Sequence, residues 1–157
     1  MNDVKETKKV PLYKRWYIIV LLVLFVITSI FNLKYTFVLV AGESMEPTYH
    51  GKQVVLADKT VDEFERFDSV IVYTDKKCLI KRVIGLPGET VEYKDNCLYI
   101  DGQRIVDDYN FGPTEDFKVT LSDTGYYCLG DNRNNSLDSR YYGEFNTDHM
   151  IAKVLTK

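Results

Sequence analysis

Residues 16–33, WYIIVLLVLFVITSIFNL, run for eighteen positions without a charge. As a helix this run measures about 27 Å, close to the ~30 Å hydrocarbon thickness of a bilayer. Trp16 and Tyr17 stand at one border and Lys34 and Tyr35 at the other, as residues at a membrane interface do. A cleavable secretion signal has a shorter apolar core and a small-x-small pair close behind it; Leu39-Val40-Ala41 puts a large residue first. A soluble core helix carries a polar stripe, and this run has none. A transmembrane helix is therefore expected. Lys5, Lys8, Lys9, Lys14 and Arg15 precede it, and only Lys34 follows before Lys52. That bias predicts a single-pass protein of the cell membrane, with residues 1–15 in the cytoplasm, 16–33 in the lipid bilayer and 34–157 outside.

From residue 35 onward the pattern is that of strands. Apolar or alternating runs rich in Val, Ile, Tyr and Phe occur at 35–40, 53–57, 69–73, 78–84, 90–93, 97–100, 103–106, 117–121, 126–129 and 150–155. Lys94-Asp95-Asn96 and Asp101-Gly102 mark tight hairpin turns. Residues 107–116 are expected to form a surface loop. Helical signal is slight: one turn at 60–64 and one near 146–149. The fold class predicted is mainly β, one N-terminal transmembrane helix followed by an antiparallel barrel- or sandwich-like domain.

With 20 Lys and Arg against 23 Asp and Glu, and no basic stripe interleaved with aromatics, nucleic acid is not an expected partner. The three cysteines, Cys78, Cys97 and Cys128, and the two histidines, His50 and His149, lack metal-ligand spacing. No metal and no cofactor is expected. An odd cysteine count leaves at least one thiol unpaired within the chain, and a single disulfide stays open.

Three short stretches carry chemistry. The first is Gly42-Glu43-Ser44-Met45-Glu46-Pro47-Thr48, a serine in a Gly/Pro-bounded loop. Ser44 lies ten residues beyond Lys34, so even fully extended chain keeps it within about 35 Å of the membrane border. Gly42 is expected to let backbone approach a reacting carbonyl, and Met45 to cover the site with apolar bulk. The second is Lys81-Arg82-Val83-Ile84-Gly85-Leu86-Pro87-Gly88-Glu89, a lysine inside an apolar strand. A serine hydroxyl is a poor nucleophile alone, and a desolvated lysine that loses its proton can serve as its base. Arg82 is expected to point to the other face of the strand, which leaves burial as the cause of any depression of the Lys81 pKa. The third is Gly130-Asp131-Asn132-Arg133-Asn134-Asn135-Ser136-Leu137-Asp138-Ser139-Arg140, a polar loop after a strand.

In this order, behind a membrane helix, the three stretches resemble the bacterial type I signal peptidases, or leader peptidases, from residue 12 to the end. The resemblance implies that Ser44 is the nucleophile and Lys81 the general base. It implies that Ser136 orients the Lys81 amine and that Asp138, paired with Arg140, holds the loop carrying Ser136. It also implies a mostly antiparallel β-domain with its site on an apolar, membrane-facing surface, and no obligate protein partner. The substrates implied are signal peptides of exported preproteins, cut after small residues at −1 and −3. Two positions depart from the family pattern: Gly42 stands where some members have a serine that supplements the oxyanion hole, and Phe67 replaces the glycine of an R-G-D stretch. The chain also lacks the long inserted region of larger members. A Ser/Lys self-cleaving repressor would need a DNA-binding region in place of the apolar run. A signal-peptidase-like assembly factor for surface-fibre export, with dispensable catalysis, is the remaining alternative; such relatives lose the serine or the lysine, and this chain has both.

Overall fold

The computed structural model describes residues 15–74 and 77–156. Most of the segment expected in the cytoplasm, residues 1–14, lies outside that range. The chain divides into two compact units at the junction of Lys34 and Tyr35. The first holds helix α1 (Trp16–Lys34), none of whose residues is buried. By length and composition it can cross a membrane. A core helix would hide one face against a partner, and α1 hides none.

The second unit is mainly antiparallel sheet. Its strands are β1 (Tyr35–Leu39), β2 (Val54–Asp58), β3 (Ser69–Tyr73), β4 (Cys78–Gly85), β5 (Thr90–Lys94), β6 (Cys97–Ile100), β7 (Gln103–Ile105), β8 (Phe117–Thr120), β9 (Gly125–Leu129), β10 (Phe145–Asn146) and β11 (Met150–Val154), with a short helix α2 (Ser139–Tyr142) between β9 and β10. One sheet runs β1-β2-β11-β3-β4-β9-β10 and the other β7-β6-β5-β8. Every strand pair is antiparallel. A shared core of Ile84, Leu129 and Tyr127 from the large sheet and Val91, Tyr93, Leu98 and Ile100 from the small one joins the two. Strand β4 lies between β3 and β9 and is buried from Lys81 to Gly85.

The hairpins follow their turn chemistry. Asp95 and Asn96 both adopt positive φ (49° and 60°), as do Asp101 and Gly102 (50° and 79°), the signature of two-residue turns that match strand twist. Two expectations need correction. Residues 60–64 form no helix: the Thr60 amide and hydroxyl both donate to Asp58 Oδ1 (2.8 and 2.7 Å), a local capture that competes with a helical start. Residues 107–116 are not merely a surface loop, because Thr114 is buried and the Asp107 carboxylate is almost wholly enclosed. The turn expected near 146–149 is present as a 3-10 turn over Thr147–His149. The 3-10 turn at Arg133–Asn135, α2 and β10 went unread, each too short to leave a periodic signal.

Candidate functional site

The loop that carries Ser44 leaves β1 and returns into β2. Its base is clasped by Val40 N to Gln53 O (2.8 Å) and Lys52 N to Val40 O (2.9 Å). Within it, Tyr49 N donates to Met45 O at 2.9 Å. Met45 and Tyr49 drop into the core beside Val40, Val55 and Ala57. Met45 is 1% exposed and lines the small cavity together with Ser44. At Gly42 the backbone conformation itself calls for glycine. A side chain there would meet nothing within 4 Å, but its φ of +91° is one that residues with a Cβ rarely adopt.

Lys81 reaches this loop from the middle of β4. Its side chain is 1% exposed, and Nζ lies 2.7 Å from Ser44 Oγ. Burial lowers its pKa from 10.5 to about 8. Asp138, Asp131 and Cys128 oppose that shift and Lys77 reinforces it. The expectation that desolvation dominates is met by this order of causes.

Arg82 faces the other side of β4, as strand alternation requires. Its guanidinium grips both Asp131 oxygens at 2.7 Å and donates to Phe67 O at 2.7 Å. The Tyr109 ring lies 3.4 Å from the guanidinium carbon. Thr48, from the serine loop, donates to Asp131 Oδ2 at 2.5 Å. Asn132 N donates to Ser44 O at 3.1 Å, and Asn132 Nδ2 to Glu43 O at 3.2 Å. The three stretches read separately from the sequence are thus one hydrogen-bonded assembly centred on Asp131. Sequence reasoning gave Arg82, Thr48 and Asp131 no role; the only available signal was the presence of all three inside the motifs.

The third loop is tied down by two ion pairs, one buried and one half-buried. Arg140 grips Asp138 through Nε (2.9 Å) and Nη2 (2.8 Å), as expected, and the Gly130 amide donates to Asp138 Oδ2 at 3.0 Å. Burial pushes the Asp138 pKa up, but these donors outweigh it and hold the carboxyl below the usual range. Arg133 donates to Asp107 Oδ2 at 2.8 Å and to the Tyr93 hydroxyl at 2.5 Å, which in turn bonds Asp107. This second pair, also unread in the sequence, docks residues 107–116 against the loop.

Ser136 lines the same cavity as Ser44 and Lys81. Its Oγ is buried without a well-formed hydrogen bond among the described residues, and none links it to Lys81 Nζ. Gly130 makes room for it. A Cβ at Gly130 would stand 2.2 Å from Ser136 Oγ and 2.5 Å from Ser44 O.

Two cavities adjoin Ser44. One, of about 400 Å³, is lined by Ser44, Lys81, Ser136, Glu43, Lys77 and Leu137 among others. The other, of about 70 Å³, is lined by Val38, Val40, Met45, Ile71 and Ile80 together with Gly42, Ser44 and Cys78. Beyond them, Phe37, Leu39 and Val54 expose apolar side chains on one face of the β1–β2 pair, where Leu39 and Val54 are register partners. All three cysteines are free: Cys78 exposed, Cys97 half-buried and Cys128 buried, the last with its thiol pKa pushed up by burial. Among the described residues no group of three or more His, Cys, Asp or Glu side chains is placed to hold a metal ion.

This geometry has relatives. A family model described as signal peptidase, peptidase S26, matches residues 12–157. A signal peptidase I of Bacillus amyloliquefaciens is 32% identical over 154 residues, which take in 88% of this chain and 83% of that protein. The signal peptidase I T of Bacillus subtilis (strain 168) is 36% identical over 150 residues, 85% of this chain and 78% of that one. For the signal peptidase I S of the same organism the match is 38% over 122 residues, 64% of each chain, just under two thirds of that protein's length. The crystal structure of a signal peptidase I from Enterococcus faecalis aligns with a TM-score of 0.55 and 35% identity, over 62% of this chain and all of that one.

Proposed function

This chain belongs to the signal peptidase family, peptidase S26, and we propose that it removes signal peptides from exported preproteins by acyl transfer through a Ser44/Lys81 dyad. The observation that carries this reading is a lysine 1% exposed, with its amine 2.7 Å from a serine hydroxyl. Unprotonated Lys81 accepts the Ser44 proton as Oγ attacks the scissile carbonyl. The C–N bond breaks as the lysine returns that proton to the leaving amine, which leaves an ester on Ser44. Lys81 then takes a proton from water as the hydroxide attacks the ester carbonyl; the acyl C–Oγ bond breaks, and Lys81 returns the proton to Ser44 Oγ as the carboxylate product leaves. The Ser44 amide is one donor to the oxyanion, and such a donor is worth about 3 kcal/mol. Ser136, in the same cavity, receives the protonated amine and orients it, while Asp138 and Arg140 hold its loop. The 70 Å³ cavity beside Ser44 suits small side chains at −1 and −3, and larger ones are refused by contact with its walls.

The membrane supplies the substrate. In this reading α1 spans the bilayer, residues 1–15 are cytoplasmic and the domain from residue 34 lies outside. The exposed strip of Phe37, Leu39 and Val54 rests on the outer lipid surface. Residues Lys5 to Arg15 supply the positive charge that sets this orientation.

The test uses the full chain in phospholipid–detergent micelles with a preprotein whose new N-terminus is read by mass spectrometry. The wild type should cut once, after a small residue, and Ser44→Ala should not cut. Equal cutting by Ser44→Ala would refute the assignment.

A further inference from the structure

Lys81 is not the only lysine that faces the 400 Å³ cavity. Lys77 immediately precedes β4, and Lys77, Leu79 and Lys81 all line the cavity, as residues at every second position of an extended chain share one face. Four residues of strand separate the two lysine backbones by about 13 Å, and side chains that lean toward each other shorten the gap between charges. The backbone of Lys77 is bonded to Thr74. Its amide donates to Thr74 Oγ1 (3.3 Å), while its carbonyl accepts from the Thr74 amide (2.9 Å) and hydroxyl (3.0 Å). The Lys77 side chain itself is exposed.

We propose that Lys77 is a charge-setting residue of this site: its ammonium, held at the cavity mouth, favours the unprotonated form of Lys81 and so speeds the reaction at neutral pH. It acts through Lys81 and touches no reacting atom. The inference rests on Lys81 being the general base. The Glu43 carboxylate of the serine loop also lines this cavity; among the described residues, the groups whose charge acts on Lys81 are Asp131 and Asp138 from the third loop, Cys128 from β9 and Lys77 from just before β4. The two carboxylates favour the protonated amine; the Cys128 thiol is buried and protonated, so its influence is slight. Lys77 is the cation that opposes them. Burial alone keeps the amine dry, and Lys77 offsets part of what Asp138 and Asp131 take back.

The experiment measures kcat and KM of the full chain in micelles across pH 6 to 10, for wild type, Lys77→Met, Lys77→Glu and Lys77→Arg. Losing the charge should move the acidic limb to higher pH and reversing it should move the limb further. The rate at pH 7 should fall on the order of twofold for Lys77→Met and more for Lys77→Glu, with the plateau at high pH and KM preserved. Lys77→Arg should keep the wild-type limb. In 1 M salt, where screening acts within about 3 Å, wild type and Lys77→Met should converge. An unmoved limb in both Met and Glu variants, or a loss confined to KM, overturns the proposal. Failure of the dyad itself looks different: the wild type then shows no limb, or Lys81→Met keeps its activity.

Discussion

Lys81 and Arg82 are sequence neighbours buried on opposite faces of β4, one bonded to Ser44 Oγ and the other to both oxygens of Asp131. The strand thus separates two tasks. One face keeps an amine dry beside a hydroxyl. The other fastens the loop that carries the hydroxyl, because Asp131 also holds Thr48.

Removing the amine should uncouple activity from stability. Lys81 titrates at about 8 when folded and at 10.5 in its ordinary state. Between those values the unfolded chain binds more protons, so stability rises with pH. Below pH 8 the folded protein carries the full cost of a buried ammonium, about 3 kcal/mol. Lys81→Met should therefore lose at least about 10³-fold in kcat while becoming more stable at pH 7. Its advantage should shrink toward pH 10.5, as followed by thermal unfolding across pH.

The Arg82–Asp131 pair should behave in the opposite way. Asp131→Ala leaves a guanidinium buried at 3% exposure without its carboxylate. We expect a loss of about 3–5 kcal/mol in denaturant unfolding. Thr48→Val removes one bond to Asp131 and should cost about 1 kcal/mol, with a fall in kcat larger than any change in KM.

Phe67 shows where a departure from the family pattern is tolerated. Its φ of 70° lies where glycine is favoured, and its ring packs 5.6 Å from Tyr109, which lies on Arg82. Phe67→Ala keeps the backbone strain and loses the ring; Phe67→Gly loses both. Glycine should therefore be the more stable of the two variants by about 1 kcal/mol, with wild type at or above it. Alanine equal to or better than glycine would show that the backbone is not strained there.

These points mark what could be read in the residues alone. Most strands announced themselves, because Val, Ile and aromatic runs between turn formers leave a strong local signal. Ser44, Lys81 and the Asp138–Arg140 pair were legible because each sits in a dense motif. The Asp131 hub and the Tyr93–Asp107–Arg133 cluster were not. Their members are up to 83 and 40 positions apart, and nothing local tells a carboxylate which buried arginine it will meet. The role of Gly130 was hidden for a similar reason: its constraint comes from Ser136 and the Ser44 carbonyl crossing above it.

Gly130→Ala tests that crossing. A methyl group would have to displace Ser136 or the Ser44 backbone, so kcat should fall by about 10²-fold or more, as a misplacement of about 1 Å does. Circular dichroism should show the sheet retained. Ile80→Ala, on the wall of the small cavity, should instead let larger −1 or −3 side chains be cut and leave cleavage after alanine largely intact.

The central claim is that Ser44 is activated by an unprotonated Lys81. The most direct measurement is the rate at which a serine-directed acylating agent modifies Ser44, followed by intact-protein mass spectrometry from pH 6 to 10. The account predicts a rate that rises about tenfold per pH unit and levels off with a midpoint near 8, and a lysine-to-methionine variant that stays unmodified throughout. A midpoint that persists in that variant, or labelling indifferent to pH, would contradict it.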